Sequence, residues 1–174
     1  MKKQSPKDPG YLVVIVIVGF LLVLFVWWML RPLPGQEVPN LGNHHLKFLS
    51  EEHIPYNSKP PTSGPHVGYT AAWGISDKQL PDEVQVHNLE DAGVIIHYDP
   101  AHISSDTLKQ LIDIVQPRYL KNEHILLEPY VGIETPIVLT AWTRIEKLST
   151  FNKEQIEKFI NAFIGIDHHV PGGE

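Results

Sequence analysis

The sequence predicts an α+β domain held behind a single membrane-spanning helix. Three observations predict it. Tyr11–Leu30 (YLVVIVIVGFLLVLFVWWML) runs for twenty residues without a charge. The stretches Gly93–Tyr98 (GVIIHY), His124–Glu128 and Pro136–Arg144 (PIVLTAWTR) have the β-branched, apolar composition of strands. Between and after them, Leu108, Leu111, Ile112 and Val115, then Ile156, Phe159, Ile160, Phe163 and Ile164, recur at helical spacing. The expected domain is a small antiparallel sheet of about four strands, with two or three helices packed on one side of it.

In chain order, residues 1–10 form a basic cytoplasmic tail and 11–30 the anchor, which at 1.5 Å rise per residue spans roughly 30 Å of bilayer. A cleaved signal peptide is the rival reading, but the apolar run exceeds an ordinary signal core and no small-x-small site follows it. Lys2, Lys3 and Lys7 precede the anchor and only Arg31 follows closely. The positive-inside rule therefore puts the domain outside the cytoplasm, as a single-pass protein of the cell membrane with lipid as the partner of residues 11–30. Tyr11 would sit at the inner interface, with Trp27 and Trp28 at the outer one. Residues 31–40 (RPLPGQEVPN) are a stiff, proline-rich spacer. The extracytoplasmic domain occupies 41–167, with 168–174 as a tail.

Within the domain, residues 41–83 are rich in Pro, Gly, Ser and His and read as ordered loop. Glu83–Leu89 alternates as a strand does and leads into Gly93–Tyr98, which Asp99-Pro100 stops. Ser105 caps a helix over 106–115 that ends before Pro117. Asn152 caps the last helix with Gln155 three residues on, Phe151 and Ile156 are placed as a staple, and Gly165 marks the stop.

Composition narrows the chemistry. The chain has no cysteine, and its two methionines, Met1 and Met29, lie outside the domain. Disulfides, thiolate ligands and a thioether site for Cu(I) are excluded. Ten histidines stand against fourteen Lys plus Arg, and the net charge is −6. No basic stripe interleaves with aromatics, so a nucleic-acid partner is not expected.

The segments YNSKPPTSGPH (56–66), Trp73-Gly74, HNLEDAGV (87–94) and LTAWTR (139–144), with a glycine–histidine stretch at 42–45, resemble a bacterial family, the domain of unknown function numbered 3105. The resemblance covers essentially the whole exported domain. It implies no activity, because none is established for that family. It does imply that His45, His66, His87, Asn88, Leu89, Glu90, Gly93 and Val94 stand on recurring motif positions. Where the family usually reads HNLEHGG, this chain has Asp91 and Ala92.

The candidate site is the corner around His87. His45, His66 and His87 come from separate segments, and Glu90 and Asp91 follow the last of them. Three imidazoles with a carboxylate suit Zn(II) or Cu(II) rather than the all-oxygen shell of Mg(II) or Ca(II). An acid–base reading, as in a hydrolase, takes His87 as base with Glu90 or Asp91 orienting it and Ser63 or Thr62 as nucleophile, although no strand–elbow–helix motif displays Ser63. A third reading has no chemistry: Asn88 and Glu90 tie a turn, and PPTSGPH with Trp73 forms the contact surface of an accessory subunit or assembly factor in a membrane complex. His97 shares a strand face with Ile95 and reads as a core histidine, as Trp142 reads as core. His44, His53, His102 and His124 read as solvated. The tail pair His168-His169 reads as an adventitious metal binder.

Overall fold

A computed structural model describes residues 9–29 and 31–169. The chain divides into two units at Leu33/Pro34. The first contains helix α1 (Pro9–Met29). Gly10–Trp27 is long and apolar enough to cross a membrane, and none of it is buried by protein. Arg31 lies 4.1 Å over the Trp27 ring. Lys2, Lys3 and Lys7, on which the expected orientation rests, fall outside the described residues, and so does Leu30.

The second unit is the α+β domain. Its elements run β1 (Gln36–Glu37), β2 (His45–Leu46), β3 (His66–Val67), β4 (Gly74–Ile75), α2 (Asp82–Glu90), β5 (Val94–Tyr98), α3 (Ser105–Tyr119), β6 (Ile125–Pro129), β7 (Ile137–Ala141), β8 (Arg144–Leu148) and α4 (Lys153–Phe163). Six strands form one sheet in the order β1-β8-β7-β5-β6-β4, and β2 pairs with β3 apart from it. The sheet is mostly antiparallel. Only β5–β6 and β6–β4 run parallel; for β5–β6, α3 carries the chain from the end of β5 back to the start of β6, the crossover that parallel pairing requires.

Alternate residues of β5 build two cores. Val94 and Ile96 meet α3 and α4 through Leu111, Val115, Phe159 and Ile160. Ile95 joins Leu126, Trp142 and the α2 residues Val86 and Leu89 on the opposite face. Helices therefore cover both faces, not one. Asn152 Oδ1 accepts from Gln155 N at 3.1 Å, and Phe151 packs on the cluster that contains Ile156.

Four local expectations are corrected. Glu83–Leu89 is helical rather than a strand. Pro81 opens α2, with Asp82 and Glu83 in the first turn where the helix dipole favours anions. Every residue from Val84 to Glu90 is buried, polar ones included, so apolar periodicity carries no signal there. Residues 136–144 are not one strand but β7 and the start of β8, reversed at Trp142-Thr143, where Thr143 takes φ +58°. A β-branched residue in that region is rare, and no Asn-Gly or Asp-Gly announces the turn. Ser104, not Ser105, caps α3 by accepting from Thr107 N at 3.1 Å, and α3 runs through Pro117. Finally, residues 60–66 (PPTSGPH) are buried in the domain and do not form a contact surface.

Candidate metal centre

Three segments bring the histidine corner together. In the β2–β3 ladder His45 and His66 are Cα partners, so two imidazoles from distant loops stand side by side. Their placement depends on Gly64, whose φ of +125° few side chains tolerate. The Gly64 carbonyl is within 2.8 Å of His66 Nδ1. Helix α2 packs against β3 and supplies His87 and, one turn later, Glu90. Glu90 Oε2 lies 2.9 Å from His66 Nε2, 3.4 Å from His45 Nε2 and 3.7 Å from His87 Nδ1.

The protonation pattern follows from these contacts. A carbonyl only accepts, so His66 Nδ1 carries the proton it donates to Gly64. Burial holds the His66 imidazole below its ordinary pKa, outweighing the Gly64 carbonyl and the Glu90 carboxylate that favour the cation. Neutral His66 therefore aims an Nε2 lone pair at a carboxylate oxygen 2.9 Å away. Burial also lowers His87. Glu90 is driven up by burial, yet hydrogen bonding from Asn43 and the positive charge that His66 and His169 take on in acid hold it below its usual range, so it stays ionised at neutral pH. Two buried atoms at this spot, His87 Nδ1 and Glu90 Oε1, have no hydrogen-bond partner.

A lone pair facing a buried anion, beside two unpartnered polar atoms, is an unsatisfied arrangement for protein alone and a natural one around a cation. The donor atoms of His45, His66, His87 and Glu90 all lie within 4.8 Å of one another. A tetrahedral Zn(II) shell with bonds of about 2.0–2.1 Å sets its ligands roughly 3.3 Å apart, so small side-chain rotations close it. His66 already has the second partner that metal-ligating histidines ordinarily keep, a carbonyl on the other nitrogen.

Around this cluster the structure places the tail pair that the sequence reading set aside as adventitious. The chain after α4 folds back on the corner: Gly165 N donates to Ala92 O at 2.9 Å and His168 N to Glu90 O at 3.0 Å. The His168 ring stacks on Trp142 at 5.8 Å, and Trp142 in turn stands edge-on to His66 at 6.2 Å. His169 Nε2 comes within 3.3 Å of Asp91 Oδ1 and 3.6 Å of Glu90 Oε2. A tail histidine after the last helix has no periodicity to betray it. The stacking partner Trp142 is the only clue, and it lies in a different segment.

Of the five residues named from sequence, His45, His66, His87 and Glu90 form one group, while Asp91 joins His87 and His169 in a second. Asn88 is structural, bonding Ala71 N at 2.8 Å and Ala71 O at 3.0 Å. Thr62 and Ser63 are fully buried, and Ser63 Oγ accepts from Leu41 N at 3.0 Å. His97 is a core histidine, with Nε2 2.9 Å from Thr140 Oγ1 and Nδ1 3.1 Å from Glu128 Oε1. His102 and His124 are exposed but partnered, by Asp99 and by Asp91 O.

The family model described as "Protein of unknown function (DUF3105)" matches residues 47–172. That span takes in His66, His87, Glu90, Asp91 and His169 and begins just after His45. No curated protein and no solved structure matches the chain. The chain belongs to the DUF3105 family.

Proposed function

We propose that this DUF3105 member is a membrane-anchored metal-binding protein whose domain holds one Zn(II) or Cu(II) through His45, His66, His87 and Glu90. One observation carries the reading: three imidazole nitrogens converge on Oε2 of a buried, ionised glutamate. Three nitrogens and one oxygen are a donor set for Zn(II) or Cu(II), and a poor one for Mg(II) or Ca(II). His45 is the most exposed member, with 35 % of its side chain accessible, whereas His66 and Glu90 are sealed. An ion would enter past His45.

The anchor and its flanking charges support display of this domain outside the cytoplasm, with α1 as an uncleaved signal anchor in lipid. In that compartment a thiol-free site has an advantage, since imidazole and carboxylate are not lost to oxidation.

Titration of the full chain in detergent with Zn(II), against a fluorescent chelator of known affinity, tests the assignment. The wild-type chain should compete for the ion, and His66→Ala should weaken binding by at least tenfold. Equal affinities for the two chains would refute it.

A further inference from the structure

We propose that the corner holds a second divalent cation, bound by Asp91, His169 and the nitrogen of His87 that faces away from the first ion. The inference rests on the metal-binding reading above. His87 presents its two nitrogens to different carboxylates: Nδ1 lies 3.7 Å from Glu90 Oε2 and Nε2 lies 3.8 Å from Asp91 Oδ2. A histidine that ligates through one nitrogen ordinarily hydrogen-bonds through the other. At 3.8 Å, Asp91 is beyond hydrogen-bond reach, so it does not fill that role.

His169 is prepared as a ligand. Its Nδ1 and backbone N–H both donate to Asp167 Oδ1, at 2.7 and 3.0 Å. The carboxylate on Nδ1 leaves Nε2 turned toward Asp91 Oδ1 at 3.3 Å. This carboxylate–histidine arrangement is the one that orients ligands in metal sites. Its position is set by the backbone and not by chance: the preceding residue is hydrogen-bonded to Glu90 O and stacked on Trp142. Donor atoms of His87, Asp91 and His169 lie within 4.8 Å of one another.

The two positions share His87. With an ion on each nitrogen the ring is an imidazolate, its remaining proton released to solvent as the second ion binds. Bonds of about 2 Å on either side of the ring put the ions roughly 6 Å apart. The outer position is open, since Asp91 and His169 keep 31 % and 42 % of their side chains accessible. It is therefore the weaker and more readily exchanged of the two.

Counting Zn(II) per full chain after equilibrium dialysis in detergent decides this, with the wild type beside Asp91→Ala/His169→Ala and His102→Ala. These side chains are exposed or half-exposed, and circular dichroism checks that each variant folds. The expected counts are two for wild type and His102→Ala, and one for the double variant. One ion in both wild type and double variant would overturn the second position and leave the inner site standing. One in wild type and none in the double variant would place the only ion on the tail, overturning both assignments. No ion in wild type would end the metal reading itself, and a count lowered by His102→Ala would reveal adventitious surface binding and overturn the inference.

Discussion

His45 and His66, twenty-one residues apart, are Cα partners in a two-residue parallel ladder, and their rings meet edge to face with centroids 4.8 Å apart at 80°. So short a ladder has little stability of its own. It is held by the loop that Gly64 turns, and the same glycine's carbonyl orients His66.

Gly64→Ala should therefore damage site and fold together. A Cβ there would lie 3.2 Å from the Tyr56 ring and 3.3 Å from Leu41 Cβ, at a φ of +125°. The strain costs about 1–3 kcal/mol. Urea denaturation should show that loss, and Zn(II) affinity should fall with it, because His66 Nδ1 loses its aligned acceptor. Unchanged affinity in a folded variant would mean that the Gly64 carbonyl does not position the ligand.

Asn88→Ala separates fold from site in the other direction. The Asn88 amide satisfies both backbone groups of Ala71 from inside the domain. Its removal strands a peptide donor and acceptor, at about 1–3 kcal/mol. Stability should drop by that amount, and the folded fraction should still bind metal.

Metal-free protein should weaken in mild acid. Burial lowers the folded-state pKa of His66 and His87, so the unfolded chain takes up protons first. Their effect is absent above about pH 6.5, grows as pH falls below it, and levels off beneath the folded values. Glu90, held low by Asn43 and His66 against the upward push of burial, adds stability that is lost only at lower pH, as it protonates. His169 is raised chiefly by its bond to Asp167 and acts oppositely, losing its contribution as pH rises through its folded value. It is half-exposed, so solvent screens it and the buried pair prevails. Urea midpoints in chelator should fall between pH 7 and pH 5. A flat profile would contradict the buried neutral imidazoles.

Asp91→His replaces a carboxylate oxygen with an imidazole nitrogen between His87 and His169. Zn(II) or Cu(II) at the outer position should tighten by about tenfold, or ~1.4 kcal/mol. Weaker binding would show that Asp91 contributes mainly by its charge.

Much of this was legible in the sequence. The long apolar helix α1, the α4 cap at Asn152 and the strand Val94–Tyr98 follow from apolar runs and cap chemistry. The sequence grouped His45, His66, His87, Glu90 and Asp91 in one corner; the first four stand together, while Asp91 stands with His87 and His169. Helix α2 was not legible, because all its residues from Val84 to Glu90 are buried, polar ones included, and two of these, Asn88 and Glu90, meet their partners Ala71 and His66 from other segments. His169 was named only as half of an adventitious tail pair, and its place at the corner was not legible: stacking of His168 on Trp142 draws the tail in, a contact between residues that share no local pattern.

The most direct test of the metal centre is X-ray absorption at the zinc edge on the full chain loaded with one equivalent of Zn(II). The account predicts a first shell of nitrogen and oxygen at about 2.0–2.1 Å with the outer-shell scattering of three imidazole rings, reduced to two in His66→Ala. A six-coordinate shell of water oxygen without imidazole scattering would contradict it.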